Sequence, residues 1–292
     1  MPEELVVISG KGGTGKTSLA ASFAVLAKSA VVADCDVDAA DLHLVLRPEV
    51  LKRHRFFSGR EAVIMQSACD QCGTCFENCR FEAIQMQTLP GGETTFTVDP
   101  VACEGCGVCV HFCPAQAIDF PEQLCGEWMV SKSRCGPMVH ARLGVAAENS
   151  GKLVTTVRQE ARRLAERDER SLVLIDGPPG IGCPVIASLT GTTKALIVTE
   201  PTVSGEHDLQ RVLQLTRYFG IAAFVCVNKW DLNPEMTERI ERSADSAGAR
   251  PLGRIRYDPA ITRAQIDELA IVETRAAAAE DVCELWRKLG LQ

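Results

Sequence analysis

The chain has 292 residues, of which 46% are hydrophobic and 24% are charged, and its formal net charge at neutral pH is −7. The composition is ordinary for a globular protein, and the negative charge argues against broad nucleic-acid binding, which depends on Lys and Arg neutralising phosphates. No stretch approaches the roughly 20 consecutive apolar residues that span a bilayer, so stable membrane insertion is not expected.

Short apolar runs alternate with amphipathic segments along most of the chain. The apolar runs are typical of buried strands in a parallel sheet, and they are residues 5–8, 30–33, 172–175, 195–198 and 223–227. The amphipathic segments have the length of helices, and they are residues 17–28, 153–167, 205–219, 234–247 and 260–270. This alternation predicts an α/β fold with a doubly wound, mostly parallel sheet.

A glycine-rich loop follows the first predicted strand. Residues 10–17 fit the pattern G-x-x-x-x-G-K-[ST] and lie between a strand and a helix, the context that this motif requires. In such a loop the backbone N–H groups surround phosphates, the lysine reaches the β and γ phosphates, and the hydroxyl binds Mg²⁺. The predicted nucleotide and Mg²⁺ site therefore consists of Gly12, Gly13, Thr14, Gly15, Lys16 and Thr17.

The N-terminal segment is too short to be a signal peptide, because the glycine-rich loop already begins at Gly10. We therefore expect a cytoplasmic protein. The cytosol keeps thiols reduced, so the 14 cysteines need a role other than disulfide formation. The five histidines form no ligand pattern, and we assign them no role.

Eight cysteines form two runs that repeat after 34 residues. Each run has the C-x₂-C-x₂-C-x₃-C spacing of bacterial ferredoxins, in which the fourth cysteine binds the cluster of the other run. Structural zinc is the alternative, but it prefers paired C-x₂-C ligands rather than two complete runs. The predicted ligands of the first [4Fe–4S] cluster are Cys69, Cys72, Cys75 and Cys113. Those of the second are Cys103, Cys106, Cys109 and Cys79.

This duplicated segment interrupts the strand–helix alternation, which indicates an inserted module. We predict a small α+β domain of the bacterial ferredoxin type over residues 60–123. Residues 1–59 and 124–292 would then form one discontinuous nucleotide-binding domain of the P-loop type.

Three segments resemble the MinD/ParA family of P-loop ATPases. With Lys11 the loop reads K-G-G-x-G-K-T, the deviant Walker A sequence of that family; residues 31–42 resemble its switch I, and residues 174–180 its Walker B and switch II. The resemblance covers about residues 1–50 and 150–292. It implies binding and hydrolysis of ATP with Mg²⁺ in a nucleotide-dependent homodimer, or in a heterodimer with a paralogue.

The resemblance also assigns roles to individual residues. Lys11 would reach the partner's nucleotide across the dimer interface, and with Lys16 it would supply positive charge where the transferred phosphoryl group builds negative charge. Asp36 would orient the attacking water. Asp176 would hold Mg²⁺ through a water molecule.

The base specificity stays open at this point. Residues 228–231 read Asn-Lys-Trp-Asp, which matches the N-K-x-D pattern with which GTPases recognise guanine. In MinD-like ATPases an Asn at this strand end contacts adenine. Asn228 and Asp231 are therefore candidate base contacts, and the family resemblance favours ATP over GTP.

Two cysteines outside the repeat are candidates for a further metal site. Cys183 resembles in position the switch II cysteine of the nitrogenase iron protein, and Cys135 is a candidate second ligand. Such a pair from each of two subunits would supply four thiolates to a bridging cluster; the alternative is that both are ordinary half-buried thiols. We expect Cys35, Cys226 and Cys283 to lie in the core. We assign no role to Cys125.

These features support three hypotheses about function. In the first, nucleotide-driven dimer closure controls electron transfer through the two clusters to an unidentified redox partner. In the second, the protein is an ATP-dependent carrier or assembly factor for a metallocluster, which it delivers to a partner protein. In the third, it is a MinD/ParA-like positioning protein whose ferredoxin domain senses redox state. The last predicted helix, residues 282–289, is expected to pack in the core rather than on a membrane.

Overall fold

The computed structural model describes residues 2–144 and 150–291. Within these ranges the chain forms two compact units. The first unit comprises residues 2–54, 127–142 and 150–291, and the second comprises residues 55–126 and 143–144. The predicted insertion, residues 60–123, lies within the second unit.

The helices and strands alternate over most of the chain. The strands are β1 (Glu3–Ser9), β2 (Ala30–Asp34), β3 (Glu49–Arg60), β4 (Val63–Ile64), β5 (Ile84–Thr88), β6 (Thr94–Val98), β7 (Ile118–Asp119), β8 (Glu122–Ser133), β9 (Gly136–Leu143), β10 (Leu172–Pro179), β11 (Lys194–Thr199), β12 (Ala222–Asn228) and β13 (Arg250–Ile255). The helices are α1 (Lys16–Leu26), α2 (Leu42–Leu46), α3 (Thr74–Glu77), α4 (Val108–Phe112), α5 (Ser150–Arg167), α6 (Cys183–Leu189), α7 (Val203–Tyr218), α8 (Pro234–Ser246), α9 (Ala260–Ile266) and α10 (Ala277–Leu289). None of the helices within the described residues has both the length and the apolar character needed to cross a membrane.

A nine-stranded sheet organises the first unit. Its strand order is β13-β12-β11-β1-β10-β2-β9-β8-β3, and the strands from β13 to β9 pair in parallel. The predicted α/β fold with a mostly parallel sheet is therefore confirmed. The sheet also contains β3, β8, β9 and β13, which the sequence analysis did not predict.

Both faces of the central strands are buried. Leu5 and Val7 of β1 belong to a core cluster with Phe23 of α1 and Trp286 of α10, whose rings lie 5.1 Å apart. Side chains alternate across a strand, so Val6 and Ile8 point to the opposite face, and they too are fully buried. Full burial of such side chains contributes roughly 1.5–3 kcal/mol each. The C-terminal helix packs in this core, as predicted.

One helix is shorter than the sequence predicts. The amphipathic segment 260–270 forms α9 only as far as Ile266, because Glu268 has a left-handed backbone with φ 58°. A short 3₁₀-helix, Ile271–Glu273, follows.

The two cysteine-containing halves of the second unit share their backbone conformation as well as their sequence pattern. β4 pairs with β7 and β5 pairs with β6, both in antiparallel fashion. Three pairs of residues with positive φ are each separated by 34 residues, and they are Gln71 and Gly105, Gly73 and Gly107, and Glu82 and Gln116. Because Gly73 and Gly107 immediately precede α3 and α4, the two cysteine runs are held on equivalent turns.

Candidate functional site

The glycine-rich loop connects β1 to α1 and is fastened to the end of β12. The backbone at Gly15 is left-handed, with φ 89°, and a Cβ at this position would lie 2.5 Å from the side-chain nitrogen of Asn228. Glycine is therefore required here. Asn228 Nδ2 donates a hydrogen bond of 2.8 Å to the carbonyl oxygen of Thr14. The candidate base contact thus also fixes the shape of the loop.

Three acidic side chains surround Lys16. Asp34 and Asp176 lie opposite each other at the carboxyl ends of the neighbouring strands β2 and β10, and Asp36 follows β2. Lys16 Nζ lies 2.6 Å from Asp36 Oδ2, and both side chains are less than 10% exposed. Since parallel strands end at one edge of the sheet, this edge brings together residues that are distant in sequence.

Among the described residues, several polar atoms at this edge are buried with no hydrogen-bond partner. They are both carboxylate oxygens of Asp176, Asp34 Oδ2 and Thr14 Oγ1. Buried polar atoms in proteins nearly always have hydrogen-bond partners, so this arrangement is built for a bound group. Oxygen donors with excess negative charge suit Mg²⁺, and Thr17 lies beside Asp176. The residues present therefore fit a bound Mg²⁺ ion.

The charged side chains at this edge of the sheet shift one another's pKa. Burial raises the pKa of Asp176 to about 6, although the ammonium of Lys16 opposes the shift. Burial raises the pKa of Asp34 well above its ordinary value, and the carboxylates of Asp176 and Asp36 add to that shift. For Lys16 burial lowers the pKa, but Asp176 and Asp36 outweigh this effect and raise it overall. Lys16 therefore stays charged at neutral pH.

The second lysine of the loop is held by its own chain. Lys11 Nζ lies 3.4 Å from Glu200 Oε2 and donates a hydrogen bond of 3.3 Å to Ser204 Oγ. The other oxygen of Glu200 accepts a hydrogen bond of 2.5 Å from Lys229 Nζ. The sequence analysis missed Glu200 and Lys229. The position of Glu200 immediately after β11, at the same edge of the sheet, could have indicated its role.

The second candidate base contact has a different environment from the first. Asp231 is exposed, and its Oδ1 accepts a hydrogen bond of 2.7 Å from the backbone N–H of Tyr257. This bond joins the segments that follow β12 and β13. Asn228 is thus attached to the phosphate-binding loop, whereas Asp231 is bonded to the chain after β13.

The cysteines of the repeat gather around the small core of the second unit. Four cysteines from one predicted ligand set line a single pocket, and they are Cys79, Cys103, Cys106 and Cys109. From the other set Cys69, Cys75 and Cys113 pack against the core, whereas Cys72 is exposed. Cys113 Sγ accepts a hydrogen bond of 3.3 Å from the Ala117 N–H.

Within the described residues, no group of three or more His, Cys, Asp or Glu side chains converges to hold a single metal ion. A [4Fe–4S] cluster requires a different arrangement, because each thiolate binds its own iron at a separate corner. Four thiols around one pocket fit that requirement. Thiolates are the donors that hold such clusters.

The remaining cysteines differ in accessibility. Cys183, the first residue of α6, is exposed. Cys135 lies between β8 and β9, packs against the main core, and has its thiol pKa raised by burial. Cys35 and Cys226 are buried as expected, whereas Cys283 is only partly buried. Cys125, in the second unit, donates its thiol hydrogen to the Ser58 carbonyl at 2.9 Å.

Comparison with known proteins identifies the family. The sequence profile of the CobQ/CobB/MinD/ParA nucleotide-binding domain matches residues 5–271. The protein belongs to this family. The CobQ/CobB/MinD/ParA assignment confirms the resemblance to MinD/ParA-type P-loop proteins drawn from the loop and the two switch segments.

One relative and two solved structures are similar over nearly the whole chain. The uncharacterized protein MJ0578 of Methanocaldococcus jannaschii is 30% identical, with 98% of this chain and 96% of the relative covered. The cell division ATPase MinD of Pyrococcus furiosus has a TM-score of 0.57 at 19% identity, covering 99% of each chain. The D38A variant of McdA from Cyanothece, solved in complex with ATP, has a TM-score of 0.59 at 14% identity, covering 100% of this chain and 97% of McdA. At these identities the two structures show the shared fold alone.

Proposed function

We propose that the protein is a Mg²⁺-dependent ATPase that acts as a nucleotide-dependent dimer and carries two [4Fe–4S] clusters in its second unit. ATP-driven closure of the dimer would control electron transfer between those clusters and a redox partner protein. The observation that carries the ATPase part is the unpartnered carboxylate of Asp176 beside Lys16 and Thr17.

The acid cluster supports a specific sequence of contacts during hydrolysis. Lys16 now neutralises Asp36. When the β and γ phosphates enter the loop, Lys16 would transfer to their oxygens and release Asp36 to orient a water molecule. That water attacks the γ phosphorus, the bond to the β–γ bridging oxygen breaks, and ADP and phosphate leave. Thr17, and Asp176 through water, would hold the Mg²⁺ ion that neutralises phosphate charge.

The contacts of Lys11 support a role in dimer closure. Its ammonium is bound to Glu200 and Ser204, and the side chain is about one-third exposed. Glu200 is 15% exposed and keeps a second ion pair to Lys229, so departure of Lys11 does not leave its carboxylate without a cation. Lys11 can therefore leave Glu200 and reach a partner subunit's nucleotide at low cost. Asn228, fastened to the same loop, is the residue that we assign to adenine.

The cysteine repeat supports the iron–sulfur part of the proposal. Cys79, Cys103, Cys106 and Cys109 would bind one cluster around the pocket that they line. Cys69, Cys72, Cys75 and Cys113 would bind the other, on the equivalent turns of the duplicated backbone. When bound, such clusters accept and release single electrons.

Two observations favour further candidates. Cys183 is exposed at the start of α6, seven residues after Asp176, which favours an ATP-dependent metallocluster carrier with a bridging site between subunits. Cys135 is a weaker ligand candidate because burial raises its thiol pKa. The fold shared with MinD also fits a positioning ATPase whose clusters sense redox state.

Anaerobically purified full-length chain tests these proposals. We expect Mg²⁺-dependent ATP hydrolysis that is lost in Lys16→Ala and retained in Lys288→Ala, a matched lysine paired with Glu284 on α10. We also expect about eight irons per chain. Iron beyond that number, lost in Cys183→Ser, would favour the carrier. Absence of iron with intact ATPase activity would refute the cluster proposal and leave the ATPase standing.

A further inference from the structure

The first unit has a pocket in which several basic side chains lie among apolar ones. It is formed by α2, the beginning of β3, β8 and β9. Its lining includes three arginines, two histidines and one carboxylate, and these are Arg47, Arg53, Arg142, His43, His140 and Glu127. This concentration of positive charge is unexpected in a chain with a net charge of −7.

The single negative charge of Glu127 does not neutralise both arginines that contact it. Glu127 Oε1 accepts hydrogen bonds from Arg53 Nη1 at 2.6 Å and from Arg142 Nη2 at 3.1 Å. Two guanidinium groups thus share one oxygen. The bond from Arg53 holds the pKa of Glu127 below its ordinary value, so this carboxylate stays ionised. Arg47, at the edge of the pocket, forms an ion pair with Glu268. A positive charge remains for a ligand.

A buried imidazole completes the pocket. His140 is 8% exposed, and its Nε2 lies 2.8 Å from Ser131 Oγ. Burial lowers the pKa of His140, and the nearby His43 and Arg53 add to this shift, which brings the pKa to about 4. His140 is therefore neutral at physiological pH and serves as a hydrogen-bonding group, while Arg53 and Arg142 provide the charge.

We propose that this pocket binds a phosphate dianion, either free or as the phosphate group of a small monoester. Each arginine has five N–H donors in a planar fork that matches phosphate oxygens, and Glu127 uses only some of them. The donors come from different strands, so they can reach different oxygens of one tetrahedral group. The site is formed by other residues than the glycine-rich loop.

Titration of inorganic phosphate into the full-length Lys16→Ala chain, followed by ³¹P NMR and calorimetry, tests the proposal without a contribution from the glycine-rich loop. We expect one phosphate bound per chain. Charge-assisted hydrogen bonds support roughly a tenfold loss of affinity for each of Arg53→Gln and Arg142→Gln in this background. Arg242→Gln is the matched control, since its side chain is 73% exposed in an ion pair elsewhere, and it should bind as before.

Glu127→Gln separates a ligand site from a merely structural ion pair. Removing this carboxylate frees both arginines, so phosphate affinity should rise several-fold, whereas a structural role would lower it. Glycerol 3-phosphate that binds more tightly than phosphate would identify a monoester as the ligand, and weaker binding would identify the free ion. Equal phosphate binding with and without the two arginines, or none at all, would overturn the proposal.

Discussion

Replacement of Asp176 by Asn should stabilise the nucleotide-free protein while abolishing its activity. The carboxylate is buried, neither of its oxygens has a hydrogen-bond partner within residues 2–144 and 150–291, and its pKa is raised to about 6 from the ordinary value of 3.8. The ionised carboxylate therefore lowers the free energy of unfolding at neutral pH. Asn has the same shape without the charge, so Asp176→Asn removes that cost together with the carboxylate that we propose holds Mg²⁺ through water.

The size and sign of the effect follow from the pKa difference. Two pKa units correspond to about 3 kcal/mol. Because the folded-state pKa lies above the unfolded one, the folded chain binds the proton more tightly, and its stability falls as pH rises from about 4 to about 6. The gain from Asp176→Asn should be complete above pH 7 and about half as large at pH 5. In a domain of this size it corresponds to a melting temperature about 6–12 °C higher.

Tryptophan fluorescence is a suitable readout, because Trp128, Trp230 and Trp286 all lie in the first unit. Thermal unfolding is followed anaerobically from pH 5 to pH 8. Asp168→Asn, a partly exposed aspartate paired with Arg167, is the control and should change stability by less than about 0.5 kcal/mol. A variant at Asp176 that is less stable than the parent at pH 7.5, or a gain that does not vary with pH, would refute the reasoning.

Three further predictions concern the glycine-rich loop, the ion pair between Lys11 and Glu200, and the proposed clusters. Gly15→Ala should cost roughly 1–3 kcal/mol in denaturant unfolding and weaken nucleotide binding in a titration, because its φ is 89° and a Cβ would collide with a neighbouring amide. Glu200→Gln should release Lys11 and let dimers form at up to about fivefold lower ATP concentration in sedimentation velocity. Cys79→Ser should lose about half of the iron by chemical assay, whereas Cys125→Ser should lose none.

The strands that could be predicted are those whose burial on both faces requires a continuous apolar run. Residues 5–8 and 172–175 are of this kind, and they form the centre of the sheet. β3 could not be recognised, because most of its side chains are exposed and no apolar periodicity results. β8 and β9 contain charged residues such as Glu127 and Arg142 among their apolar ones. Their place in the sheet depends on pairing with distant strands.

Residues of the site could be predicted from the sequence where a local motif contains them. They could not be predicted where only the order of the strands brings them together. Lys16 and Thr17 follow from the spacing of the glycines. The closeness of Asp34 to Asp176 follows only from the register between β2 and β10, which joins residues 142 positions apart. His140 received no role from the sequence because it matches no ligand pattern, yet the neighbouring strands place it in a basic pocket. Pairing between distant strands is the information that a single sequence does not display.

The most direct test of the proposed coupling is ATPase activity measured anaerobically on the same preparation with its clusters oxidised and then reduced. The ATP-dependent dimer fraction is measured alongside, and the Lys16→Ala chain supplies the background. We expect the rate and the dimer fraction to differ between the two redox states, because the proposed function couples the two cofactor sites through dimer closure. Identical rates and identical dimer fractions in a preparation containing about eight irons per chain would contradict the account.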